Sequence, residues 1–386
     1  MVGWGKRCSA RPAAFAVLLA FSAVLGGCAT QPREKVYVGI GTGEMTDQAA
    51  ADYAALYKPY AMMATIAYTN ENALNDDTRC PDPKKLINHL PRDSDGQYKF
   101  NKTVLDWVRT LKDRHHWECI AGRAGSLPCP EKLGSKCKPV SGLEYHVWRR
   151  REKGRCHVAI AFRGTDGNEF GDWISNFRWL YRLAPKFDQY AQVQTHIADI
   201  LEGIRKGDCR GAVTEFVSVG HSLGGGLAQQ AAYASGDKPI RYVYAFDPSP
   251  VTGFFDVSAL IRDKSVDGLG IDRTYEAGEI LALPRMIVEN FIPPAACHPR
   301  IRTVRFNLLT GFGISQHSIE KLTQNLIDAT KGKVANPRRV NDVLRARVQG
   351  CADADGVAGL TRRRTGRSLA ATADVIIIGR IKQPRG

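Results

Sequence analysis

The uncharged apolar run near the N-terminus, residues 12–25, stops short of the roughly 20 residues that a bilayer-spanning helix needs, which argues against a permanent transmembrane segment there. Internal repeats are lacking too, so a solenoid or propeller is not expected. The arginine cluster Arg362-Arg363-Arg364-Thr365-Gly366-Arg367 has no interleaved aromatics on which bases could stack, and this speaks against nucleic acid as a partner. His115-His116-x-x-Cys119 lacks a second thiol pair at ligand spacing. It is read as a loop with a disulfide, and neither a metal nor a cofactor is expected. Acidic residues are outnumbered, 39 against 54 Lys and Arg, but the excess is local. Of the net charge of +15, Lys6, Arg7 and Arg11 account for three and residues 331–386 for nine, since thirteen Lys or Arg there face four Asp. The middle of the chain is therefore only mildly basic. Its tail is read as solvated, with an anionic membrane surface as the alternative contact.

The basic residues at 6, 7 and 11, the apolar run and the sequence Leu25-Gly26-Gly27-Cys28 together read as a secretion signal and not as a fold element. Small residues before a cysteine resemble the lipobox of bacterial lipoproteins. That resemblance implies that Cys28 is lipid-modified and becomes the first residue of the mature chain. With no acidic residue in Ala29-Thr30, it implies the outer membrane of a Gram-negative cell envelope, facing the periplasm or the cell surface. At about 0.8 kcal/mol per buried methylene, several acyl chains would make such anchoring effectively permanent. Eight cysteines follow: Cys80, Cys119, Cys129, Cys137, Cys156, Cys209, Cys297 and Cys351. An even count in an exported chain suggests disulfides, and one local bridge is expected within the Cys119, Cys129 and Cys137 cluster.

The expected organisation is a signal over 1–27, a tether over 28–45, one large α/β domain over 46–335 and a basic, poorly ordered tail over 336–386. Residues 49–68 read as a helix with one apolar face. Residues 70–141, rich in Pro, Gly, Asp and Cys, read as an irregular insertion with one helix near 102–114. Strands are predicted at 144–150 and 156–162, joined by the polar turn 151–154. Phe187, Tyr190, Val193, Ile197, Ile200 and Ile204 recur at helical spacing. Further strands are predicted at 216–219, 241–246, 273–277 and 301–308, and a closing helix carries Ile319, Leu322, Leu326 and Ala329. Strands alternating with helices imply a mainly parallel central sheet flanked by helices.

Gly220-His221-Ser222-Leu223-Gly224 lies between an apolar strand and the helix-forming run 227–232. A G-x-S-x-G in that context describes a nucleophile elbow, in which a sharp strand-to-helix reversal lifts the serine hydroxyl clear of the sheet. Such a serine needs an imidazole to take its proton and a carboxylate to hold that imidazole. Only His298 and His317 lie well downstream. His317, where a loop after a strand meets a helix, is preferred, with His298 as the alternative. For the acid, Glu279 sits just past the C-terminal end of a strand, where sheet enzymes keep catalytic groups, and Asp247 is its rival. Glu276 and Asp272 are weaker candidates, one within the strand and the other before it. The oxyanion donors are expected to be the backbone N–H of Leu223 and a group from Thr165, in the loop that leaves a strand at Phe162.

In order, Phe162-Arg163-Gly164-Thr165, Asp172-Trp173-Ile174-Ser175-Asn176-Phe177 and Gly220-His221-Ser222-Leu223-Gly224-Gly225 resemble the motifs of the class 3 (fungal-type) triacylglycerol lipases of the α/β-hydrolase superfamily. The likeness covers roughly residues 49–329. It implies an α/β-hydrolase fold, Ser222 as nucleophile, Thr165 as an oxyanion donor, and a lid at or beside the Asp-Trp segment. Glu279 departs from the aspartate usual in that family, as does Asp247-Pro248-Ser249-Pro250 from its Pro-Arg-Val-Gly. The expected activity is hydrolysis of lipid or phospholipid esters through an acyl-enzyme, with Phe170, Trp173, Phe177, Trp179 and Tyr181 forming a lid or rim. The alternatives are a small-ester esterase or serine peptidase on the same fold, or a catalytically silent envelope interaction module.

Overall fold

The computed structural model describes residues 36–38, 47–88, 95–124, 132–133, 136–137, 143–164, 189–237, 240–276, 279–282, 285, 299–306, 313 and 316–331. The expected signal, Cys28, Thr165, the five lid aromatics, His298 and the tail 336–386 lie outside them, as do the side chains of Cys129 and Cys137.

Eight strands form one sheet. Their ranges are β1 (Val36–Val38), β2 (Glu118–Ala124), β5 (Glu144–Glu152), β6 (Arg155–Phe162), β7 (Val213–His221), β8 (Ile240–Phe246), β9 (Gly270–Glu276) and β10 (Arg300–Phe306). A separate two-stranded ribbon is made by β3 (Lys132–Leu133) and β4 (Lys136–Cys137). The sheet order is β1-β10-β9-β8-β7-β6-β5-β2. From β6 to β10 every neighbouring pair is parallel, whereas β5, β2 and β1 run antiparallel to their neighbours. The architecture is thus α/β with a mainly parallel sheet flanked by helices.

The helices are α1 (Asp47–Ile66), α2 (Pro83–Asn88), α3 (Asp95–His115), α4 (Gln189–Lys206), α5 (Leu223–Tyr233), α6 (Ala259–Val266) and α7 (Ile319–Thr330). Because strand side chains alternate, both faces of the sheet are apolar. Tyr242, Tyr244 and Phe246 of β8 meet Tyr57 and Met63 of α1 and Leu322 of α7 on one face. Val243 and Ala245 of the same strand join Val193 and Ile197 of α4 and Ala228 of α5 on the other. The predicted stripe on α4 is buried at Tyr190, Val193, Ile197 and Ile204. Among the described residues no helix is long and apolar enough to cross a membrane.

Two expectations change. Part of the 70–141 segment is not a detached insertion, because β2 is a strand of the main sheet, paired with β5 across a bulge between Cys119 and Ala121. A Cβ at Gly122 would lie 2.0 Å from the Arg79 carbonyl oxygen, so only glycine lets the 75–80 loop close over β2. Cys119 bonds Cys80 in that loop, not a cysteine of the 119–137 cluster, and Cys156 of β6 bonds Cys209. Its disulfide also removes Cys119 as a thiolate ligand beside His115 and His116. The second change is β1, which lies within the expected tether and lines the sheet edge against β10.

Candidate active site

The site residues gather beyond the C-terminal ends of the parallel strands. β7 runs straight into α5 through Ser222, whose backbone sits at φ 56°, ψ −124°. That left-handed conformation costs a non-glycine residue on the order of 1–3 kcal/mol and persists only when its surroundings over-determine it. They do so here. The Ser222 N–H donates to the Phe246 carbonyl at 3.0 Å, and its own carbonyl accepts from Gly225 N at 3.0 Å and Ser249 N at 2.9 Å. A Cβ at Gly220 would stand 2.1 Å from the Gly224 carbonyl oxygen, and one at Gly224 would stand 2.4 Å from the Phe162 carbonyl oxygen. Both glycines are therefore required by close backbone approach. Ser222 Oγ is buried with no hydrogen-bond partner among the described residues. Leu223 opens α5, so its N–H belongs to the helix N-terminal donors that have no intrahelical acceptor.

Glu279 and His317 come from loops joined by a parallel bridge between Glu279 and Gly313. His317 Nδ1 lies 2.8 Å from Glu279 Oε2, and both side chains are buried. The same carboxylate oxygen accepts the Leu281 N–H at 2.8 Å, while Oε1 is bound by Arg285 Nη2. Burial, and then the Arg285 guanidinium, push the His317 imidazole down to about 3. The ring is therefore neutral near pH 7. Its carboxylate partner assigns the proton to Nδ1 and the lone pair to Nε2.

Asp247 directly follows β8, at φ 39°, and is fully buried. Its Oδ1 accepts the Glu276 N–H at 3.0 Å, and burial pushes its carboxyl up to about 7. His221 Nε2 lies 3.9 Å from Asp247 Oδ2 but 3.0 Å from the His317 carbonyl oxygen, to which it donates. Its Nδ1 accepts from Tyr68 Oη at 2.9 Å. His221 is pushed well below its ordinary value, first by burial and then by His317, so the contact with Asp247 is not an ion pair. His221, Asp247 and His317 offer ligand atoms within 4.8 Å of one another. To ligate a cation, His221 would have to give up Tyr68 or the His317 carbonyl.

The remaining predicted residues divide as follows. Asp272 lies inside β9 opposite Arg302 of β10 and pairs with it, and Glu276 ends β9 with its N–H bound to Asp247. Thr165 is outside the described residues, but Gly164 beside it abuts the elbow: a Cβ there would lie 2.6 Å from the His221 carbonyl oxygen and 2.3 Å from Tyr68 Oη. Sequence reading passed over Arg285, Tyr68 and the side chain of His221. Arg285 stands in a short stretch, Leu283-Pro284-Arg285-Met286, with no periodicity to mark it, and Tyr68 looks like the end of an apolar helix. His221, inside the elbow motif, carried the one available signal.

Residues 130–242 match the family model described as phospholipase-like, Tle-like phospholipase domain. No curated protein and no solved structure matches the chain. The matched stretch includes β5, β6, the Gly164 turn and the Ser222 elbow and ends within β8, ahead of Asp247, Glu279 and His317. That central region is similar to phospholipase domains, and the similarity suggests a hydrolase acting on lipid.

Proposed function

We propose that this protein is a serine carboxylic-ester hydrolase of the α/β-hydrolase kind that cleaves lipid or phospholipid esters. The observation that carries the reading is the positive-φ serine at a strand-to-helix elbow, with a buried histidine–carboxylate pair supplied by loops at the same edge of the sheet. Ser222 Oγ attacks the ester carbonyl carbon and His317 Nε2 takes the hydroxyl proton. Glu279 holds the ring through Nδ1–H and stabilises the imidazolium. The tetrahedral oxyanion is met by the Leu223 N–H and a donor from Thr165. Collapse expels the alcohol, which leaves with the proton from His317. Water then gives up a proton to the same nitrogen and attacks the acyl-enzyme; collapse breaks the bond to Ser222 Oγ, which takes that proton back from His317 as the fatty acid leaves. The three motifs resembling class 3 lipases, in chain order, support the α/β-hydrolase assignment and Thr165. The phospholipase-like match supports lipid as the substrate class.

A lipid anchor at Cys28 would hold the enzyme at an envelope membrane and place the site near its substrate. Labelling by a fluorophosphonate probe tests the core of the reading: wild-type protein is labelled and Ser222→Ala is not. A chain-length series of p-nitrophenyl esters, followed by phospholipid vesicles, then ranks substrates. Equal labelling of Ser222→Ala sinks the proposal, and turnover restricted to short esters returns the reading to a small-ester esterase.

A further inference from the structure

We propose that Arg285 is a positioning residue that locks Glu279 as the partner of His317 and ties that pair to the Ser222 elbow. The inference rests on the serine-hydrolase reading above. Two carboxylates stand near His317, Glu279 bonded to its Nδ1 and Asp247 within 4.8 Å, and Glu279 has the longer, more rotatable stem. Without a second anchor its carboxylate could turn away from His317. Arg285 supplies that anchor. One arm, Nη2, binds Glu279 Oε1, which leaves Oε2 for His317 and Leu281. The other arm, Nη1, donates to the Pro248 carbonyl at 2.6 Å. Pro248 faces Gly225, where a Cβ would lie 2.9 Å from its own, and the next residue, Ser249, donates its N–H to Ser222. A rigid planar fork can hold both acceptors at once, which a lysine cannot match bidentately. The guanidinium also sits 4.8 Å from the Tyr275 ring centre, which fixes its plane.

Arg285 further sets the charge around the proposed base. The charged and titratable groups around His317 include His221 from the end of β7, Asp247 just past β8, and Glu279 and Arg285 from beyond β9. Burial pushes the His221 imidazole down and the Asp247 carboxyl up, disfavouring the charged form of each, so Glu279 and Arg285 are the main opposing charges at the ring. Removing the cation leaves a net negative surround. The histidine then protonates more readily, and the acidic limb of the rate profile moves to higher pH.

The test uses the full chain with a soluble p-nitrophenyl ester, comparing wild type, Arg285→Gln, Arg285→Lys and Ser222→Ala. Arg285→Gln should lose about 10- to 100-fold in kcat with KM changed less than about threefold, and its acidic limb should rise by about one pH unit or more. Arg285→Lys keeps the charge but not the fork, so its limb should stay in place while kcat still falls by about tenfold or more. A limb that does not move in Arg285→Gln, with kcat lost only in parallel with melting temperature, overturns the proposal and leaves Arg285 a structural residue. Unchanged kcat in Arg285→Gln overturns it as well. Should Arg285→Gln fail to fold, Arg285→Lys decides: a displaced limb, or an unchanged kcat, rejects the role. Ester hydrolysis that survives Ser222→Ala overturns the serine-hydrolase reading itself, and the Arg285 role with it.

Discussion

In the proposed reaction Ser222 and His317 carry most of the chemistry, and both are buried. A free histidine, with a pKa near 6.5, would be partly protonated at pH 6 and unable to accept the serine proton. His317, pushed down to about 3, remains a base well below that. A protonated histidine is the inactive form, so activity is lost as pH falls through its pKa. The kcat/KM profile for a soluble ester should stay flat from pH 8 to about pH 5, where an unperturbed imidazole would already have cost more than tenfold. A midpoint near 6.5 in that profile would show that the ring is not held as described. The elbow glycines allow a second expectation. Gly224→Ala puts a methyl against the Phe162 carbonyl, so it should either fail to fold or lose more than about 3 kcal/mol in urea unfolding, well beyond an ordinary surface change.

At the scale of elements, the loops after β8 and β9 each present one buried carboxylate, and their surroundings separate them. Glu279 is bound by a histidine, a guanidinium and a backbone N–H, all partners suited to an anion. Asp247 has one backbone donor and a carboxyl raised to about 7. Glu279→Gln should lower kcat by about 10³–10⁴-fold, whereas Asp247→Asn should keep most of it, because the amide oxygen can still accept the Glu276 N–H. The stability consequence has a definite sign. Asp247 binds its proton more tightly folded than unfolded, where its pKa is about 3.9, so the native state loses stability as pH rises from about 4 to about 7. Asp247→Asn should flatten that slope in chemical denaturation. Inside the sheet, Arg302 of β10 bonds Asp272 of β9 through Nε at 2.8 Å, and Tyr57 adds a hydrogen bond at 2.9 Å to the same carboxylate. Arg302→Met strands that buried acid and should cost about 3–5 kcal/mol, while Asp272→Asn with Arg302→Met should recover much of the loss.

Over the whole molecule, the Cys80–Cys119 and Cys156–Cys209 disulfides close loops with sequence separations of 39 and 53 residues, each worth about 4 kcal/mol in the chain-entropy account. Reduction under native conditions should lower the melting temperature, and Cys156→Ala/Cys209→Ala should lower it by more than loss of an exposed ion pair does. Much of this architecture was legible in the chain. Short-range sterics and periodicity are written into adjacent residues, so the elbow from Gly220 to Gly224, the stripe on α4 and the alternation of strand and helix could all be read without a structure. The strand β2 could not, because Glu118-Cys119-Ile120-Ala121-Gly122 has no clean alternation and owes its place to β5 and to the bond with Cys80. Arg285 could not either, since nothing nearby in sequence marks a buried arginine. The sequence by itself determined that a strained serine would stand at a strand end and that a few acids and histidines lay downstream of it. Only the tertiary structure decided which carboxylate meets His317, because that choice depends on burial and on charges from β8, β9 and the loops beyond, brought together by the sheet and not by proximity along the chain.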